Sequence, residues 1–107
     1  VLFHDDQCFP DGKGREVVAG DFVYAWKRLA NTELSDGFWI FAPILGFNEW
    51  KEAAEKADAW DYDKPLEGFQ ALDKYTVQVK QSQPYPQLKY ILAMVYTPPL
   101  PRECVEY

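Results

Sequence analysis

The sequence predicts an α+β fold, helix-rich with one short antiparallel β-hairpin. Apolar residues Phe22, Val23, Trp26 and Leu29 recur at helical spacing, with Asp21, Lys27 and Arg28 off the stripe. Tyr75, Val77 and Val79 alternate with Thr76, Gln78 and Lys80, the period of a half-buried strand. Eighteen aromatic residues (four Trp, seven Tyr, seven Phe) among 107, in a composition that is 48% apolar, supply enough buried area per side chain to argue against disorder.

Taken in order, Val1 to Asp6 is the end of a strand running into a loop, and residues 7–15 are that loop. There Pro10 fixes φ, and Gly12 and Gly14 permit positive φ. The first helix spans Ala19 to about Leu29. Val18 occupies its N-cap, where Ser, Thr, Asp or Asn would contribute about 1 kcal/mol, but Asp21 in the first turn and Lys27 with Arg28 in the last match the helix dipole. Asn31 to Gly37 is a polar break. Phe38 to Phe41 then forms one or two helical turns, limited by Pro43.

A second helix runs from Asn48, a good cap, to Ala57, with Trp50, Ala53, Ala54 and Ala57 on one narrow face at the edge of the core. Residues 59–65 are loop. The hairpin strands are Phe69 to Leu72 and Tyr75 to Lys80, flanking Asp73 and Lys74. Gln87 to Met94 forms a short helix with Leu88, Ile91 and Leu92 on one side. Thr97 to Pro101 is held extended by its prolines, and Pro101 opens a terminal helical turn.

A chain of 107 residues is one domain or a piece of one, and buries about 65% of its unfolded surface. With 11 basic against 17 acidic residues the net charge is −6, which repels a phosphate backbone, so no nucleic-acid partner is expected. Lys27 and Arg28, the nearest approach to a basic patch, read as a solvated helix face. No apolar run approaches the roughly 18 to 20 residues of a membrane helix. The chain begins in mid-pattern at Val1 and reads as an internal segment of something longer.

Candidate chemistry is sparse. His4, Asp5, Asp6 and Cys8 fall short of a metal site, because the other cysteine is 96 positions away and there is no second histidine. A Cys-His pair four apart lacks the third, orienting group of nucleophilic catalysis. Cys8 and Cys104 are either two buried thiols or a disulfide closing nearly the whole chain, worth ~4 to 5 kcal/mol in the loop-entropy account. Asp11 to Gly14 lacks the glycine spacing of a phosphate loop. Asp61 and Asp63 lack the remainder of a calcium loop. Pro98 to Pro101 reads as a rigid connector rather than a polyproline ligand. The aromatic group Phe38, Trp39 and Phe41 is either core or ligand contact.

The run from Arg15 to Leu29, with Gly20-Asp21-Phe22-Val23-Tyr24-Ala25-Trp26-Lys27-Arg28-Leu29 at its centre, closely resembles extracellular solute-binding protein family 5, the oligopeptide and dipeptide receptors of ABC importers. Leu72 to Val79 resembles the family's hairpin, Pro84-Tyr85-Pro86 and the apolar helix after it resemble its next element, and Pro98 to Glu103 resembles its proline-rich exit. Val18 and Gly20 depart from the family's usual cap and acidic residue.

The resemblance implies a type II-like periplasmic binding protein fold, of which residues 1–107 are a single subdomain, a fragment of the first lobe, mainly structural. It implies a periplasmic or extracellular receptor, peripheral to the membrane, that captures peptides or similar small solutes for ABC permease subunits, with no cofactor, metal or catalytic residue. By the same resemblance Phe38 and Trp39 are the ligand-contact candidates, and export permits a Cys8–Cys104 disulfide. The competing reading is a free-standing acidic protein-interaction domain, which would expose a contiguous apolar patch.

Overall fold

The structure, a computed structural model, describes residues 1–94 and 97–107, and the side chain of Phe38 lies outside the described set. Among the described residues the elements in order are a 3₁₀ turn (Pro10–Gly12), α1 (Ala19–Arg28), a second 3₁₀ turn (Gly37–Phe41), α2 (Phe47–Ala57), β1 (Phe69–Asp73), β2 (Thr76–Val79), α3 (Leu88–Ile91) and α4 (Arg102–Glu106). This is the α+β arrangement expected, with α1 packed across both strands of one antiparallel hairpin.

The core forms where four aromatic rings from four elements meet. Phe69 of β1 lies 5.1 Å from Trp26 of α1, 4.9 Å from Phe41 of the second 3₁₀ turn and 6.2 Å from Phe47 of α2, centroid to centroid. Phe41 meets Phe69 at 82° and Phe47 at 63°, the edge-to-face geometry that aligns ring edge with ring face. Leu29, Ala30, Ile40, Ile44, Leu66 and Ile91 fill around them. Burying this set removes several hundred Å² of apolar surface from water, the main term favouring the fold.

The hairpin pairs Phe69 with Val79, Gln70 with Gln78 and Ala71 with Val77, and its register shifts before Asp73 pairs with Thr76. Asp73 Oδ1 accepts the Tyr75 N–H at 2.8 Å, which closes the turn and lowers the carboxyl's pKa. The far end is fixed by close backbone approach: the Lys80 N–H donates to Gly68 O at 2.9 Å, and the Leu45 N–H donates to Lys80 O at 3.0 Å. Gly68 has no room for a side chain there, since a Cβ would overlap Ile44 Cγ2 and come within 2.5 Å of Leu45 O.

Helix boundaries moved where backbone geometry outweighs side-chain preference. α2 begins at Phe47 rather than Asn48, capped by Gly46 at φ +79, a left-handed conformation that glycine adopts without cost. At the opposite end of the chain Pro101 is the N-cap of α4, whose helical residues start at Arg102. The connector before it crosses α1: the Leu100 N–H donates to Asp21 O at 3.3 Å, and Leu100 packs against the core.

The missing polar cap at Val18 is compensated from inside the helix. Asp21 Oδ2 accepts the Val18 N–H at 2.8 Å, and the Asp21 N–H donates to Val18 O at 3.0 Å. Asp21 is buried, and Arg15 neutralises it through two parallel bonds: Nη2 to Oδ1 at 2.6 Å and Nη1 to Oδ2 at 2.9 Å. Arg15 also gives Nε and Nη2 to Glu103 at 2.6 and 3.0 Å and Nη1 to Glu16 O at 2.9 Å, so all five of its N–H groups are engaged. These bonds hold the arm that carries Arg15, the start of α1 and α4 together. They raise the Arg15 pKa, chiefly through Asp21 and then Glu103, and lower that of Glu103.

Gly68→Ala is expected to cost about 2 to 3 kcal/mol, read as a lower denaturation midpoint with an unchanged denaturant slope; a midpoint within error of the parent would show that the Ile44–Leu45 contact yields freely. Arg15→Ala leaves Asp21 buried without its cation, at a cost of about 2 to 4 kcal/mol once the partial exposure of Arg15 is discounted. Because the folded-state pKa of Glu103 is depressed, its contribution is present above the ordinary glutamate value of 4.5 and lost as pH falls through the folded value. Stability measured between pH 6 and 2, on the order of the carboxylate range, should therefore fall less steeply in Glu103→Gln, and an identical acid limb would exclude that coupling.

Candidate functional site

The residues 31–41 that join α1 to α2 carry the ligand-contact candidates. Asn31 is buried, its Nδ2 donating to Tyr62 Oη at 3.1 Å and its Oδ1 accepting the Glu33 N–H at 3.0 Å, which turns the chain away from α1. Ser35 Oγ accepts the Gly37 N–H at 3.0 Å and leads into the second 3₁₀ turn. Within that turn Ile40 and Phe41 are fully buried, whereas Trp39 is 57% exposed. Two core side chains thus anchor the backbone that presents an indole to solvent. Phe38, the partner candidate, has a side chain outside the described residues, and Phe41 belongs to the core.

Beside this turn a groove of about 210 Å³ is lined by Ala25, Arg28, Leu29, Leu34, Ser35 and Leu100. Leu34 is 57% exposed, so the same loop offers a second large apolar side chain. A separate groove of about 330 Å³ runs between α1 and β2, lined by Phe22, Trp26, Tyr75, Val77, Leu92 and Thr97. Its floor is rigid: Trp26 Nε1 donates to Thr97 O at 3.0 Å, and Thr97 Oγ1 lies 2.7 Å from Leu92 O at the end of α3. Both grooves are apolar with few polar groups, a lining suited to packing rather than to orienting a reacting group.

Lys27 corrects the reading of a solvated helix face. The side chain is buried, and its Nζ donates to Tyr62 O at 3.1 Å and Lys64 O at 2.8 Å, with the Trp50 ring 6.0 Å away. Burial lowers its pKa, against the opposing pull of Asp63 and Asp61. The residue ties the loop after α2 to α1: Trp50 Nε1 donates to the same Lys64 O at 3.2 Å, and Tyr62 meets Tyr24 edge-on at 5.4 Å. Burial also raises the Tyr24 pKa. Helical periodicity places Lys27 off the Phe22–Trp26 stripe, but it does not show that two carbonyls 35 and 37 positions onward need a donor.

The remaining candidates have structural partners. Asp5 accepts the Gly14 N–H at 2.9 Å, and Asp6 Oδ1 accepts the Cys8 N–H at 3.0 Å. Asp61 Oδ1 accepts the Asp63 N–H at 3.0 Å, while Asp63 pairs with Arg102 at 2.7 Å. His4 lies exposed beside a groove of about 390 Å³ near both cysteines. Among the described residues no three His, Cys, Asp or Glu side chains gather as metal ligands, and no helix is long and apolar enough to cross a membrane. Cys8 and Cys104 are joined as a disulfide, with Cα atoms 4.8 Å apart. Sequence reasoning missed the Arg15–Asp21–Glu103 assembly, since its longest pair spans 88 positions.

Residues 2–103 match the family described as bacterial extracellular solute-binding proteins, family 5 Middle. Over 95 residues the chain is 32% identical to the periplasmic oligopeptide-binding protein OppA of Salmonella typhimurium and 27% identical to OppA of Escherichia coli K12, each comparison covering 87% of this chain and 16% of the relative. The chain therefore spans about a sixth of the length of these curated relatives. No solved structure matches significantly. With the helix, hairpin and exit segments in the expected order and matched as one block, the chain belongs to the bacterial extracellular solute-binding proteins of family 5.

Proposed function

We propose that the protein carrying this chain is a receptor of the periplasm or cell exterior, peripheral to the membrane, that captures peptides or similar small solutes and delivers them to ABC permease subunits without covalent chemistry. The observation that carries this reading is the family match over residues 2–103, joined with two relatives whose names give oligopeptide binding. Within that receptor residues 1–107 form one subdomain of the first lobe, with a mainly structural part. Several of its cations are taken up by groups of the same chain: Arg15 holds Asp21 and Glu103, Arg102 holds Asp63 and Glu106, and Lys27 holds two carbonyls. The reading as a free-standing interaction domain is not favoured, because the family match runs through nearly the whole chain and the relatives it matches are several times longer.

The direct contribution to the ligand is confined to the turn Gly37–Phe41, where Phe38 and Trp39 are the contact residues. An indole held on a core-anchored turn loses little freedom when a peptide side chain stacks against it, which favours such residues as binding anchors. In the whole receptor Trp39→Ala should weaken peptide binding about fivefold, roughly 1 kcal/mol, with little change in melting temperature because the side chain is exposed. Unchanged affinity would remove Trp39 from the binding surface. Calorimetric titration of the 107-residue chain with a pool of short peptides, after circular dichroism shows it folded, should give no saturable heat. Saturable binding would contradict the mainly structural part assigned to this subdomain.

A further inference from the structure

The disulfide and the Arg15 ion pairs meet on the same short helix. Glu103, which takes two N–H groups of Arg15, precedes Cys104 directly; Cys8 lies on the arm that turns at Pro10–Gly12 and returns through Arg15. A ring in space therefore runs from Cys8 along the arm to Arg15, across the ion pair to Glu103, and through Cys104 back to Cys8. α4 has five residues and none of them is buried, and a helix of one turn does not persist without outside attachments. Among the described residues those attachments include the disulfide, the Arg15–Glu103 pair and the contacts of Arg102 with Asp63 and the Tyr24 ring.

Neither cysteine belongs to the core cluster, and both are only half-buried. Together they line the open groove of about 390 Å³, with Phe3, His4, Asp6, Phe9, Pro101 and Tyr107 around them. A small thiol can reach the sulfurs from this groove without disturbing the packing around Phe69.

We propose that Cys8–Cys104 is a thiol–disulfide exchange site, opened in the folded protein by an external dithiol, and that its opening unlatches α4 from Arg15. A thiolate of the dithiol attacks one sulfur, forming a mixed disulfide and expelling the other cysteine as a thiolate. The second thiol of the reagent then displaces the bound protein sulfur and closes a disulfide in the reagent. Two electrons pass from dithiol to protein, and the two thiol protons end on the cysteines. Arg15 keeps its bonds to Asp21, so the start of α1 stays capped, while Glu103 leaves the fork.

The test incubates the oxidised protein with dithiothreitol in the absence of denaturant, traps free thiols by alkylation, and follows mass, circular dichroism and the carboxyl carbon of Glu103 by NMR. Native reduction should proceed within about tenfold of the rate in denaturant, as for local opening. Helical content apart from α4 should be retained, and Glu103 should titrate at its ordinary value after reduction. In the oxidised protein Glu103→Gln should raise the native reduction rate about two- to fivefold, the weight of one part-exposed ion pair. Reduction only in denaturant, collapse of the whole fold on reduction, a Glu103 titration indifferent to the disulfide, or an unchanged rate in Glu103→Gln would each overturn the proposal. Those results would leave the bond as a static constraint on the unfolded chain.

Discussion

The buried carboxylate of Asp21 is the constraint on which the rest of the structure depends. It sits in the first turn of α1, closes the helix start that Val18 has no side chain to close, and carries a charge that burial would make costly if left alone. Arg15 answers both needs. Its planar fork pairs with Asp21 on one side and has donors left for Glu103 on the other, which a lysine could not arrange. Once that fork is placed, the path of the arm from Phe3 to Arg15 follows, and so does the landing point of α4. The bond from Leu100 N–H to Asp21 O brings the proline connector to the same place.

On the other side of α1 the organising element is aromatic. Trp26, Phe41, Phe47 and Phe69 come from four separate elements and converge on one point, so the core is a junction rather than a layer. The hairpin turn is tied to α1 as well: the Ala19 N–H donates to Lys74 O at 2.8 Å, and Glu16 accepts from both Tyr75 Oη and Lys74 Nζ. These two bonds lower the Glu16 pKa, with Tyr75 the larger cause. α1 is thus tied at its start through Ala19 and Glu16 and near its end through Lys27, and the Gly37–Phe41 turn that follows it is pinned by the buried Ile40 and Phe41.

What was legible in the sequence was periodic or punctuated. Phe22, Trp26 and Leu29 announce α1, the alternation at Tyr75 to Val79 announces β2, and Pro98 to Pro101 announces an extended connector, because each of these is a local property of the chain. What escaped was set by distant partners. Lys27 lies off the apolar stripe and yet is buried, since the carbonyls of Tyr62 and Lys64 come to it from a loop without periodicity. Asp21 was readable as a dipole partner but not as the substitute cap, because that role depends on Arg15 holding it in place. The Cys8–Cys104 bond came from the family resemblance and the compartment it implies, not from spacing; the candidacy of Phe38 and Trp39 as ligand contacts has the same origin and is a proposal.

Because the Arg15 fork holds the arm, the start of α1 and α4 through separate bonds, removing the fork itself should loosen all three, whereas opening the disulfide releases α4 alone. Native-state hydrogen exchange of the Arg15→Met protein tests this directly. The account predicts that the amides of Phe3, Val18, Cys104 and Val105 lose protection by a common factor, while those of the hairpin and of the second half of α1 keep theirs. Loss confined to residues beside position 15, with α4 amides exchanging as before, would contradict it.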